Sequence, residues 1–166
     1  QGNVVNITNT APIVTSGNAS AGAVVQSIGG GGGVVGNAGS NLSLGATQAQ
    51  GRLSAGDVTN SQSGSITTLG RSSAALVIQS IGGGGGLGAS TTGDAQLGQI
   101  GSSSNAISSG GSVTYQGQGI ALKTAGVNAP ALVVQSIAGG GGWIGTVTGN
   151  AILGSQGSGS GSAAAV

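Results

Sequence analysis

The sequence predicts an all-β fold, a parallel β-solenoid built as one repeat domain over residues 1–166. Three observations predict it. A set of matched positions recurs three times, about every 55 residues. The segments inside each repeat are short, β-branched or alternating, with no helical periodicity, cap or salt-bridge spacing. The composition is rich in glycine and nearly free of charge and aromatics: 39 Gly, 2 Pro, three Lys/Arg, two Asp/Glu, one Trp, one Tyr and no Phe.

The repeat is clearest in its central block. Ala23-Val24-Val25-Gln26-Ser27-Ile28 precedes Gly29, Gly30, Gly31, Gly32 and Gly33. Leu76-Val77-Ile78-Gln79-Ser80-Ile81 precedes Gly82, Gly83, Gly84, Gly85 and Gly86. Leu132-Val133-Val134-Gln135-Ser136-Ile137 precedes Ala138, Gly139, Gly140, Gly141 and Gly142. The three Gln are 53 and then 56 positions apart. Thr15, Thr68 and Thr124 keep these offsets, as do Asn41, Asp94 and Asn150, and Leu44, Leu97 and Leu153. Val5, Val58 and Val113 align with a small slip, which places the extra residues of the second interval near Ser102–Gly111. The repeats run approximately 1–53, 54–108 and 109–166.

Within a repeat, Ile13-Val14-Thr15, Ser65-Ile66-Thr67-Thr68 and Ile120–Thr124 read as one strand. The Val-Val-Gln-Ser-Ile run reads as a second, apolar on both faces at its centre, as expected of a strand buried between layers. A third lies near Asn41–Leu44, Ala95–Leu97 and Ala151–Leu153, and a fourth at Asp57–Thr59 and Ser112–Tyr115. Gly, Asn and Ser punctuate them. Coils of such a solenoid stack about 4.8 Å apart and align equivalent side chains into ladders. Two or three coils of about 18–27 residues per repeat are expected, with one large flattened coil as the alternative. A right-handed path is the usual sense of parallel crossover connections.

Gln26, Gln79 and Gln135 are then candidates for a buried amide ladder; otherwise they point to solvent beside a buried Val. Asn41, Asp94 and Asn150 are a second candidate ladder. The glycine runs lack the Gly-Lys-Ser/Thr of a phosphate loop. They also recur in register after an apolar strand, unlike a linker. Close backbone approach or positive φ at a corner accounts for them best. Trp143 replaces Val34 and Leu87 after the run and reads as a packing plug. Arg52, Arg71 and Lys123 read as solvated residues that discourage lateral sheet association.

Composition excludes several functions. Without Cys or His, no zinc site of the usual N/S type forms and no Ser nucleophile finds a His to activate it. Asp57 and Asp94 are the only acids, too few for paired-carboxylate chemistry or for calcium-binding nonapeptide repeats. Three cations are too few to track a phosphate backbone, so no nucleic-acid partner is expected. No catalytic, cofactor or metal site is expected, and the chain reads as a non-enzyme. Disorder does not fit, because 37% of residues are hydrophobic and only 3% charged. The apolar runs are far short of the roughly 18–20 residues of a membrane span. No signal peptide opens the chain, so in an exported protein Gln1 already lies past the cleavage point.

The block Ala-x-Val-Val-Gln-Ser-Ile-(Gly)5 with its upstream Thr-x-Gly spacing, carried by Thr15–Gly33, Thr68–Gly86 and Thr124–Gly142, resembles a repeat of large autotransporter-like and adhesin-like exported proteins of Gram-negative bacteria. The resemblance implies a β-helical passenger at the cell surface, and it implies architecture, not activity. No translocator β-barrel is recognisable in these residues. The first reading is therefore an extracellular structural subunit that stacks head to tail into a surface or biofilm-matrix filament. Its partners are copies of itself and other matrix or cell-surface components. No segment looks like a polar cap, which favours this reading. A fragment of an adhesin passenger stalk is the alternative. An ice- or glycan-binding solenoid using Thr15, Thr68 and Thr124 ranks last.

Overall fold

A computed structural model describes residues 1–45, 51–98, 107–154 and 160–166. Each repeat is a single flattened coil, so the two or three smaller coils per repeat expected above do not form. The reason is lateral: every strand hydrogen-bonds to its counterpart one whole repeat away, not to a strand of its own repeat.

The first coil carries β1 (Val5–Asn9), β2 (Ile13–Thr15), β3 (Ala23–Ile28), β4 (Gly32–Ala38) and β5 (Leu42–Leu44). The second carries β6 (Val58–Gln62), β7 (Ile66–Thr68), β8 (Leu76–Ile81), β9 (Gly85–Thr91) and β10 (Ala95–Leu97). The third carries β11 (Val113–Gly117), β12 (Leu122–Thr124), β13 (Leu132–Ile137), β14 (Gly141–Val147) and β15 (Ala151–Leu153). They form five parallel three-stranded sheets: β1-β6-β11, β2-β7-β12, β3-β8-β13, β4-β9-β14 and β5-β10-β15. The second coil's strand is central in each. Equivalent residues pair directly, as in Gln26 with Gln79 and Gln79 with Gln135.

Side-chain alternation then builds layers. Val25, Ile78 and Val134 face the sheets of β6 and β7, where Val58, Ile66 and Val113 complete a core cluster. The opposite side of the same sheet, through Val24, Val77 and Val133, packs on Leu87 and Trp143 of the glycine-led sheet. That sheet turns its other side, through Val35 and Ile144, to Leu42, Ala95 and Leu97. The β3-β8-β13 and β4-β9-β14 sheets are thus buried on both sides, which is why Leu-Val-Ile-Gln-Ser-Ile shows no polar alternation. Small and aliphatic side chains suit layers about 10 Å apart.

The strand at Gly32–Ala38, Gly85–Thr91 and Gly141–Val147 was not anticipated. Its glycine-led sequence lacks strand propensity; lamination between two sheets stabilises it instead. The extra residues of the second interval also divide differently from the expectation. Leu44 pairs with Leu97 but Arg52 bridges to Ile107, so two of the three fall between those pairs. The third lies between Gly117, paired with Gln62, and Leu122, paired with Ile66. Gly119, at a φ of +60°, sits in that second insertion. Residues 102–106 lie outside the described residues.

Candidate functional site

The chemistry of this molecule lies along its axis. Gln26 Nε2 donates to Gln79 Oε1 at 2.6 Å, and Gln79 Nε2 donates to Gln135 Oε1 at 2.6 Å. Gln79 is fully buried between the β3-β8-β13 and β4-β9-β14 sheets, while Gln26 and Gln135 are half-buried. The ladder is polar: the Gln26 carbonyl closes it at the first-coil face and the Gln135 amide at the third-coil face.

Asn41, Asp94 and Asn150 also align: Asn150 Nδ2 donates to Asp94 Oδ1 at 3.3 Å, and the shorter bonds run to backbone. Asn41 Oδ1 accepts the Asp94 backbone N–H at 2.9 Å, and Asp94 Oδ1 accepts that of Asn150 at 2.8 Å. Asn18 Oδ1 does the same for the N–H of Arg71, and Asp57 Oδ1 for that of Ser112. Each side chain continues the hydrogen-bond ladder at a corner where the strands have ended.

The glycine runs show both properties expected of them. Gly30 to Gly33, Gly83 to Gly86 and Gly139 to Gly142 all have positive φ, while Gly29 and Gly82 do not. A β-carbon on Gly32 would overlap the Gly85 carbonyl oxygen, and one on Gly85 the Gly141 carbonyl oxygen. A β-carbon on Gly86 or Gly142 would overlap the glycine of the preceding coil, Gly33 or Gly86. Successive glycines therefore point alternately up and down the axis, and the mirror-image strand conformation that permits this is open to glycine alone. At the outer faces the same directions are empty: nothing lies within 4 Å of such an atom on Gly33, and nothing nearer than 3.7 Å on Gly141.

Two features of the faces escaped the sequence reading. The serine after each Gln stitches successive coils together. Ser27 Oγ donates to Asn3 O and accepts from Gly56 N–H; Ser80 Oγ donates to Gly56 O and accepts from Gly111 N–H. Its recurrence in register was the readable signal. The other is Asn60, buried in register between Ile7 and Tyr115, with no partner for Oδ1 among the described residues. Nothing in the repeat announces it, because its two counterparts are apolar or aromatic.

The two outer faces are open but not identical to an internal junction. Asn3 and Ala11 stand where the second coil has Gly56 and Gly64, whose β-carbons would overlap the coil below. On the opposite face, residues 160–166 begin a fourth coil over Ile107–Val113, through Ser108 N–H to Ser160 O and Val113 N–H to Ala165 O.

The threonine row does not form an outward array. Thr68 is fully buried and donates to Ser73 O, and Thr15 donates to Ser20 O. Trp143 packs against Ala74, Val77 and Leu87. Among the described residues no group of three or more Asp/Glu/His/Cys gathers to hold a metal, and no helix is long and apolar enough to cross a membrane. Compared with known protein families, curated proteins and solved structures, the chain matches none.

Proposed function

We propose that this chain is an extracellular structural subunit, adding copies end to end into a filament of a bacterial surface or biofilm matrix. One observation carries the reading. The outer faces carry, in the register already joined inside the molecule, the shared Gln and glycine positions: Gln26 and Gln135 flank Gln79, and Gly33 and Gly141 end the glycine stacks. The third-coil face presents the outer edges of β12 to β15, Gly141 and Gly154 with free axial space and the Gln135 amide, while residues 160–166 pair along Ile107–Val113. The first-coil face ends in the Gln26 carbonyl. Open parallel edges of this kind template another copy, and a head-to-tail contact that does not close grows into a fibre.

The contact would be carried by β3 and β4 against β13 and β14, since the corners differ. Asn3 and Ala11 crowd one face. Gln1–Val5 and residues 162–166 share a phase, so at a junction one of these segments gives way. The expected result is uniform filaments by electron microscopy as concentration rises, with a meridional reflection near 4.8 Å. The double variant Asn3→Gly, Ala11→Gly should assemble at a lower concentration. Dispersed short rods at every concentration, in both proteins, would overturn the reading.

A second reading rests on residues 160–166. Their place on a fourth-coil track suits a passenger stalk in which further coils cover the face, and dispersed rods would favour it.

A further inference from the structure

Away from the coil faces, a groove of about 260 Å³ runs along one flank of the stack. One wall is a left-handed corner repeated in register, Ala19 at φ +57° and Ser72 at +52°, flanked by Asn18 and Arg71. The other wall is Asn37, Ser90 and Thr146, on β4, β9 and β14. None of the core clusters includes these residues, and the corner bond from Arg71 N–H to Asn18 Oδ1 borders the groove.

Its hydrogen bonds fix the lining side chains and leave one cation among them. Asn18 Oδ1 accepts the Arg71 backbone N–H at 2.9 Å. Asn37 Oδ1 accepts the Ser90 hydroxyl at 2.8 Å. Thr146 Oγ1 accepts Asn128 Nδ2 at 3.2 Å and pairs with the Ser72 hydroxyl at 3.1 Å. The Asn18 and Asn37 amide N–H groups and the Arg71 guanidinium remain as donors, the Ser90 oxygen remains as an acceptor, and the guanidinium is the one charge lining the groove. Neither Asp57 nor Asp94, the only acids of the sequence, lines the groove.

We propose that this groove binds the carboxylate of an acidic saccharide, with Arg71 as the anchor. A planar guanidinium accepts a carboxylate in two parallel hydrogen bonds, and amide N–H groups on either side extend the same donor set. The hydroxyl-lined wall suits the remainder of a sugar ring. The site is separate from the buried threonine row and from the coil faces, so its occupancy does not depend on assembly.

The test is calorimetric titration with a trigalacturonate, its methyl ester and acetate, at low ionic strength. The unesterified trimer should bind and the ester should not. Arg71→Gln should weaken binding at least tenfold without altering the circular dichroism, because Arg71 serves the fold through its backbone alone. Asn37→Asp keeps an acceptor for Ser90 but replaces a donor by a negative charge, and should weaken binding comparably. No binding by the native chain, or binding unchanged in both variants, overturns the site. Acetate binding as tightly as the trimer overturns the saccharide assignment.

Discussion

The middle coil and the two outer coils share one register and the Gln-Ser-Ile and glycine centre of the repeat, yet have very different environments. Leu76 is fully buried, whereas Leu132, paired with it in register, is 38% exposed. Leu97 is fully buried, and its partner Leu153 is 53% exposed. All of β8 is buried, while its neighbours β3 and β13 are only partly so. Burial here comes from the coil above and the coil below, not from the coil's own sequence. A coil one strand-spacing thick cannot cover itself, so stability is largely a nearest-neighbour property. The difference also marks where a further copy would find its largest gain.

Seven substitutions and one titration test that contrast. The largest effect is expected at the glycines. Gly85→Ala places a β-carbon on the Gly141 carbonyl oxygen and should abolish the cooperative fold. Gly141→Ala, with open space in the same direction, suffers only the strain of its φ of +133° and should leave a folded monomer that no longer assembles. Thermal unfolding followed by circular dichroism separates the two. Next, Leu97→Ala should cost about 2–5 kcal/mol, the range for a buried large-to-small change. Leu153→Ala should cost about 1 kcal/mol or less, as a half-exposed side chain. Equal losses in urea unfolding would mean that the coils are equally packed.

Gln79→Leu should cost about 1–3 kcal/mol, since the Gln26 amide and the Gln135 carbonyl both lose a partner. Gln26→Leu breaks one bond at a face open to water and should cost less. In the opposite direction, Asn60→Ile removes the unpartnered Oδ1 from between Ile7 and Tyr115. It should stabilise the chain by about 1 kcal/mol, and a lower melting temperature would contradict this.

The smallest effect is electrostatic. Desolvation by burial raises the Tyr115 phenol above its usual pKa of 10.0. A raised folded-state pKa means that this contribution to stability is complete below the unfolded value. It is lost as pH rises through the folded value. Because Tyr115 is the only tyrosine, absorbance at the phenolate band reports it alone. Its midpoint should fall to the unfolded value in denaturant.

The repeat made much of this architecture legible beforehand. Matched offsets placed Gln26, Gln79 and Gln135 above one another, and an apolar run with no polar face marked β3, β8 and β13 as interior strands. What escaped reading has physical causes. The period counts residues per repeat but not the turns within it, so one flattened coil and several small ones looked alike. The strands opening at Gly32, Gly85 and Gly141 have no β-forming signature, because their conformation is held by the sheets on either side. Asn41 and Asp94 aligned as expected, but alignment could not tell an amide ladder from side chains accepting the next coil's backbone N–H. The inward turn of Thr15 and Thr68 depends on corner geometry that no spacing reveals.

On the proposed reading, the claim is that a further copy supplies the cover that the outer coils lack. Hydrogen exchange resolved by residue, measured as protein concentration is raised, tests it directly. In dilute solution the β8 amides should be the most protected, with Val24–Ile28 and Leu132–Ile137 exchanging faster. As copies add end to end, both outer strands should approach the protection of β8. If they stay fast at every concentration while β8 is unchanged, the open faces do not join and the claim fails.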